Sequence, residues 1–364
     1  MESKSGRTKR YEELDALRGL AALMVVFFHF TMGREEYNTI FKVGNTGVDL
    51  FFIISGFVIF MSLHRVKSSK EFIINRVSRL YPTYWASVTF TFILLSVYLL
   101  YKGLFSFSTH IVQYIGNMTM FQYYLGIDDI DGPYWTMIIE MVFYISILLL
   151  FRFKLLKYLN AICITLSLLA VMLANFYHDA YAAKWLLKWF PLLQYIPLFF
   201  AGTVFYRIYK ENQGNFYSYC IIVFCALCQL SLFSVAGRAR FYISFNDYLI
   251  MVTIFFTLFT LFVNHKLGFI VNKVTLFLGK ISFALYLTHQ YISTDYILPV
   301  LHKLHINFWI ATMLITLPVV ISIAAFITYY IEVPLGKKMK DRLKEKFIPE
   351  STIEKNASLS GGNT

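Results

Sequence analysis

The chain has 364 residues, 58% hydrophobic and 19% aromatic but only 15% charged, against about 25% charged in an ordinary soluble domain. The apolar residues fall into repeated blocks of about 17 to 24, which is bilayer-spanning length; that excludes a soluble protein, and the absence of short alternating segments excludes a β-barrel. The formal net charge of +12 does not mark a nucleic-acid binder, because Lys and Arg sit mainly in alternate loops and no soluble face is large enough to carry a basic stripe.

The pattern predicts an all-α polytopic membrane protein with about ten transmembrane helices in a single bundle. The candidate spans are 15–32, 47–64, 84–101, 133–151, 158–175, 190–208, 217–235, 247–263, 279–298 and 307–330. This even number puts both termini on one side. The loops on that side hold Arg65, Lys67, Lys70, Arg76 and Arg79, and after the last span Lys337 to Lys346, whereas the opposite loops are poor in Lys and Arg. The positive-inside rule therefore makes both termini cytoplasmic, in a multi-pass cell membrane protein. Residues 1–335 read as one transmembrane domain and 336–364 as a tail. The tail is basic at first, suiting an anionic inner leaflet, then polar and disordered from Glu350. The opening MESKSGRTKR looks like a signal-peptide n-region. The run after it contains Asp15 and Arg18 and is too long for an h-region, so a retained first helix is expected.

That first span, LDALRGLAALMVVFFHF from Leu14 to Phe30, carries Arg18 near one end and His29 near the other. Eleven residues advance about three turns plus 20°, so the two share one helix face about 16 Å apart. Ionisable groups inside a membrane helix are costly and mark functional sites. The plainer reading is that Arg18 snorkels to the interface and His29 bonds a nearby carbonyl.

The second span begins GNTGVDLFFIISGF and runs back, placing Asp49 at about the depth of His29. A carboxylate there can orient the imidazole or simply cap its own helix. Ser55-Gly56 lies deeper and offers a close helix contact or a pore-lining hydroxyl. In the next loop, Arg76 and Arg79 are three apart and share a helix face. With Arg18 they form a cluster suited to a phosphorylated ligand from the cytoplasm, or to lipid headgroups.

The long loop 102–132 includes an apolar aromatic stretch, His110 to Tyr124, long enough only for a re-entrant or interfacial helix. It ends in Asp128, Asp129 and Asp131 before Gly132-Pro133 opens the fourth span. Glu140 lies about 10 Å into that span and needs a partner; His29 and His289 are at similar depth. Glu332 closes the last span, able to pair with an inner Arg or to face water. Cys163, Cys220, Cys225 and Cys228 all lie in apolar blocks at spacings that fit no metal framework, so no metal site is expected.

Six segments, LDALRGLAALMVVFFHF, GVDLFFIISGFVI, NRVSRLYPTYW, YWTMIIEMVFY, KISFALYLTHQY and YIEVPLG, together and in order resemble the acyltransferase 3 family of integral-membrane acyltransferases, and cover most of the chain. The resemblance implies about ten membrane helices in one domain. It implies transfer of an acyl group, usually acetyl from acetyl-CoA, to hydroxyls of surface glycans. The form of the Glu140 segment looks most like exopolysaccharide-modifying members. The family's Arg-x10-His motif falls on Arg18 and His29, and its Arg-x-x-Arg motif on Arg76 and Arg79. The motif match makes His29 the expected general base, with Arg18, Arg76 and Arg79 holding the CoA phosphates; Asp49 and Glu140 join His29 as expected catalytic residues on their depth in the membrane alone. A transient acyl-enzyme stays open beside direct transfer. The expected partners are acyl-CoA as donor substrate, a glycan acceptor and membrane lipids, with no bound cofactor and no nucleic acid. The competing reading is a transporter or flippase for a glycan or acyl donor, since intramembrane charges also mark transport paths.

Overall fold

Each apolar block becomes a helix because a segment in hydrocarbon must satisfy its own backbone N–H and C=O groups. The described residues of this computed structural model are 11–34, 36–177, 179–211, 214–233 and 238–348, and among them there is no strand. In chain order the longer helices are α1 Glu12–Thr31, α2 Gly47–Leu63, α3 Ser69–Tyr101, α4 Phe107–Met118, α5 Trp135–Arg152, α6 Leu159–Asn175, α7 Tyr181–Trp189, α8 Ile196–Glu211, α9 Phe216–Phe233, α10 Phe245–Val263 and α11 Lys273–Tyr291. The last, α12, runs over Phe308–Phe347.

Local signals fix several starts. Glu12, Glu13 and Asp15 place acid in the first turn of α1, favourable against the positive end of the helix dipole. Ser68 caps α3 by accepting from the Glu71 N–H. Ser244 with Asp247, and Asn272 with Thr275, form capping boxes on α10 and α11.

Among the described residues, eight helices are long and apolar enough to cross a membrane, judged by length and composition alone. Two of the expected spans, α8 and α11, are helical but outside that set. α8 has only 16 residues, and α11 carries Lys273, Lys280, His289 and Gln290. Both are enclosed by protein rather than lipid: Leu198, Phe199 and Ala201 of α8 and Ile281, Ala284 and Leu285 of α11 are buried. The stretch 107–118 forms the short helix expected in the long loop.

Two glycine crossings hold the centre. An ideal Cβ on Gly279 of α11 would lie 2.0 Å from the Asp15 carbonyl oxygen, and one on Gly19 of α1 would lie 2.7 Å from the Gly279 nitrogen. On the other side, a Cβ on Gly56 of α2 would lie 2.0 Å from the Phe199 oxygen of α8, and one on Gly202 would lie 2.1 Å from the Ile53 oxygen. Missing side chains let these backbones touch, the packing that works where no hydrophobic force drives helices together. α1 and α2 thus each lie backbone to backbone with one enclosed helix.

Wide π turns interrupt the last elements at Ile292–Ile297, Ala311–Thr316 and Thr328–Glu332. Each precedes a helical segment with proline as its second residue, Pro299, Pro318 or Pro334. A proline ring clashes with the carbonyl four residues earlier, and widening the preceding turn relieves the clash. Pro82 inside α3 acts differently. It leaves the Ser78 carbonyl without its helical donor, and α12 closes on that point through Gly336, whose added Cβ would lie 2.8 Å from the Ser78 oxygen. A Lys344–Glu71 ion pair at 2.9 Å also ties α12 to the start of α3. The helix Val333–Phe347 runs through the boundary expected at 335/336. The expected disordered segment from Glu350 lies outside the described residues, as do Lys4, Arg7, Lys9 and Arg10.

Replacing Gly279 with Val forces α11 away from the Asp15 carbonyl. Overpacking of this kind costs about 1–3 kcal/mol. Thermal unfolding in detergent should show a clear drop in Tm for Gly279→Val, and an unchanged Tm would remove this seam from the fold's support.

Candidate functional site

α1 delivers His29 in its last turn, and α11 crosses it so that His289 arrives alongside. The His29 Nδ1 lies 2.9 Å from the Val25 carbonyl oxygen and 3.0 Å from the His289 Nε2. His289 is fully buried, with Nδ1 at 3.0 Å from the Leu285 oxygen and 2.9 Å from the Tyr286 oxygen. His29 opens onto a chamber ringed by Trp135, Tyr195, Tyr242, Tyr248 and Tyr286. Its polar lining comes from Asn45, Asp49, Gln229, Arg238 and Gln290.

Within this chamber the polar groups divide into held and unheld. Tyr248 donates to the Asp49 carboxylate at 2.8 Å and accepts from the Gln229 Nε2 at 3.1 Å. The Arg238 guanidinium lies over Trp135, 4.5 Å from the ring centroid. Asn45 Oδ1 and Nδ2, Gln229 Oε1 and Gln290 Oε1 are buried with no hydrogen-bond partner among the described residues. A buried unsatisfied polar atom costs about 1–3 kcal/mol, so three amides aimed into one cavity are arranged for something that hydrogen-bonds. Gly132 leaves room for this amide, because a Cβ there would lie 2.2 Å from the Gln290 Oε1 and push it aside.

Next to the chamber is a second cavity, walled by Val48, Phe51, Ser55, Thr136, Glu140, Tyr144, Ser282 and Tyr286, with Arg18 and Arg79 at its far end. Glu140 accepts from the Ser55 hydroxyl at 2.7 Å and from the Tyr144 hydroxyl. Tyr286 meets the Thr136 hydroxyl at 3.0 Å. Beyond lies an open mouth lined by Tyr11, Asp15, Arg18, Arg65, Arg79, Lys280 and Glu332. The mouth and the middle cavity share Arg18, Val58, Arg79 and Phe283. The middle cavity and the His29 chamber share Val48 and Tyr286. The three spaces therefore follow one another along α1, from Arg18 to His29.

The expected site residues fall on this path unevenly. Arg18 and Arg79 converge at its basic end, where Glu332 joins them. Arg76 turns aside, its guanidinium 5.6 Å from the Tyr144 ring centroid and 5.8 Å from that of Phe72. Glu140 sits in the middle cavity with Ser55 and Tyr144 rather than in the His29 chamber. Asp49 shares the chamber with His29 but is held by Tyr248; the side chain bonded to His29 is His289. Ser55-Gly56 does both of the things open to it, with Gly56 making the helix contact and Ser55 facing the cavity.

Sequence reasoning passed over Arg65 and Lys280 as ordinary loop charges, and over the amides Asn45, Gln229 and Gln290. Gln229 carried a signal, being a lone amide in an apolar run. Asn45 and Gln290 carried none, because only the fold turns them inward. Cys163, Cys225 and Cys228 are buried thiols apart from this path, and no group of residues able to hold a metal occurs among the described residues.

The model of an acyltransferase domain, acyltransferase 3, matches residues 11–329. A protein of Acidianus two-tailed virus named "Putative acetyltransferase ORF330" is 25% identical over 294 residues, covering 77% of this chain and 83% of the viral one. "Nodulation protein 10" of Rhizobium leguminosarum bv. viciae is 26% identical over 174 residues, covering 40% of this chain and 45% of its own length. No solved structure matches.

Asp131, beside Gly132 at the chamber rim, is 3% exposed and accepts from the Tyr291 N–H at 3.4 Å. Burial pushes its carboxyl up to about 8, against about 3.9 for the unfolded chain. A value raised on folding favours the folded state at low pH, and that contribution is lost as pH rises through 8. Thermal stability should therefore decline between about pH 4 and pH 8, and Asp131→Asn should flatten the decline. An identical slope in the variant would rule Asp131 out as its source.

Proposed function

The chain belongs to the acyltransferase 3 family of multi-pass membrane acyltransferases, and from that premise we propose that it moves an acetyl group from cytoplasmic acetyl-CoA to a hydroxyl of a surface glycan or its lipid-linked precursor. The observation that carries this reading is the path itself: a basic mouth, a narrow middle cavity and an amide-lined chamber at His29, in series along one helix. The charge pattern supports a cytoplasmic mouth, with both termini on that side of a plasma or inner membrane.

At the mouth Arg18, Arg79, Arg65 and Lys280 offer the donors that CoA phosphates require. Arg forks bind phosphate bidentately, and Lys acts as a point charge. Glu332 and Asp15 border the same space and keep the cations from repelling one another when no ligand is bound. The thin pantetheine arm lies in the middle cavity, where Ser55, Thr136 and Ser282 can meet its amides. This brings the thioester to the His29 end. Arg76 serves from outside the path, packed against Tyr144, which in turn holds Glu140.

The acceptor enters the opposite chamber. Amides both donate and accept, which matches sugar hydroxyls better than it matches an anion or an amine, and the surrounding aromatic rings suit the apolar faces of a sugar. Asp49 acts here by fixing Tyr248. His29 takes the proton of the attacking hydroxyl as its oxygen bonds to the thioester carbonyl carbon. The tetrahedral adduct then expels the CoA thiolate, which recovers that proton from His29, leaving ester and free CoA.

Proteoliposomes given labelled acetyl-CoA and a polysaccharide acceptor test this. Label should move to sugar hydroxyls, identified by NMR of the glycan. His29→Ala should abolish transfer with normal expression; full activity in that variant would overturn the role. Arg79→Ala should raise KM for acetyl-CoA roughly 10–100-fold, the equivalent of one lost charge-assisted hydrogen bond of about 1.5–3 kcal/mol. A transporter would carry label across the membrane without making the ester.

A further inference from the structure

We infer that His289 is a positioning residue for the reaction, holding His29 in the one tautomer that leaves Nε2 free to take a proton; this rests on the reading of His29 as the base. The argument needs only donors and acceptors. The His289 Nδ1 faces two backbone carbonyls, Leu285 at 3.0 Å and Tyr286 at 2.9 Å. A carbonyl only accepts, so the proton of neutral His289 sits on Nδ1 and its Nε2 carries a lone pair. That Nε2 lies 3.0 Å from the His29 Nδ1, so the His29 Nδ1 must be the donor. The Val25 carbonyl, at 2.9 Å, demands the same proton position. Both partners place the His29 proton on Nδ1, which leaves Nε2 as the only nitrogen of His29 able to act as a base.

The two acceptors are not equivalent. The Val25 carbonyl belongs to the turn four residues back and already accepts the His29 backbone N–H within α1. His289 contributes a lone pair with no other partner among the described residues, on a ring that is fully buried. When His29 gains a proton from the hydroxyl, the new cation keeps its Nδ1–H on this lone pair, in a site where water does not screen it. His289 thus stabilises the imidazolium formed in the transition state and fixes the ring plane, with both rings held at 4.9 Å between centroids. The logic is that of an orienting group behind a histidine base, supplied here by a neutral imidazole rather than a carboxylate. Asp49, the nearby carboxylate, is turned to Tyr248 instead.

Two substitutions separate this role from packing. The Asn amide can occupy the place of the imidazole Nδ1, so His289→Asn keeps a bond to the α11 carbonyls but offers nothing to His29. The longer Gln amide can reach the place of Nε2, so His289→Gln returns an acceptor oxygen to His29. His289→Asn should lower kcat roughly 10–100-fold, part of the full general-base contribution of about 10²–10⁴-fold. KM for acetyl-CoA should stay within about twofold, because the donor phosphates sit at the far end of the path. His289→Gln should recover most of the lost kcat. His289→Leu, apolar like the seam around it, takes the place of the Asn variant should the latter not fold. Wild-type kcat in the Asn or Leu variant, or a Gln variant no better than they are, would overturn the inference. His29→Ala, run alongside, separates this failure from failure of the base itself: if it stays active, the base reading falls first.

Discussion

The close approach of α1 to α11 at Gly19 and Gly279 is the constraint on which the rest depends. With a Cβ on Gly279 only 2.0 Å from the Asp15 oxygen, the two helices stand too close for any side chain at this crossing. That separation is also what brings His289 within 3.0 Å of His29 at the far end of the same seam. A helix pair held apart by ordinary side chains would leave two imidazoles buried in an apolar bundle without each other. The packing requirement and the hydrogen-bonding requirement are thus met by one contact, and the glycines and the histidines belong to a single device.

The polar groups that line the path are graded along it. At one end the cations Arg18, Arg65, Arg79 and Lys280 share a mouth with Asp15 and Glu332. In the middle, the Ser55 and Tyr144 hydroxyls are gathered on Glu140. At the other end three amides keep atoms unpaired. A group satisfied within the protein is scaffold, while a group left unsatisfied in a cavity is poised for a ligand. By that measure the middle of the path is built to be passed through and the amide end to bind.

Much of this was legible beforehand. The block length and scarcity of charge declare a helical membrane protein, because hydrocarbon tolerates little else. The eleven-residue spacing of Arg18 and His29 on one helix already implies two chemistries at two depths, since helical geometry is local. Legibility ended wherever the partner lay on another helix. Arg76 and Arg79 share a face by spacing, yet only Arg79 lines the path, because the 60° between them is enough to turn Arg76 against Tyr144. Glu140 and Asp49 lie at plausible depths, but depth says nothing of azimuth.

The amino-acid sequence by itself determined the class of fold, the order of the spans and the presence of a cation and a base on one stripe of α1, because each follows from hydrophobicity or from the 3.6-residue period. Only the tertiary structure decided which groups meet. It matched His29 with His289 across 260 positions of chain, Asp49 with Tyr248 across 199, and Glu140 with Ser55 across 85. Such pairings depend on how each helix is rotated about its axis, and that rotation is set by which small residues let which backbones touch. No period within a single helix carries that information.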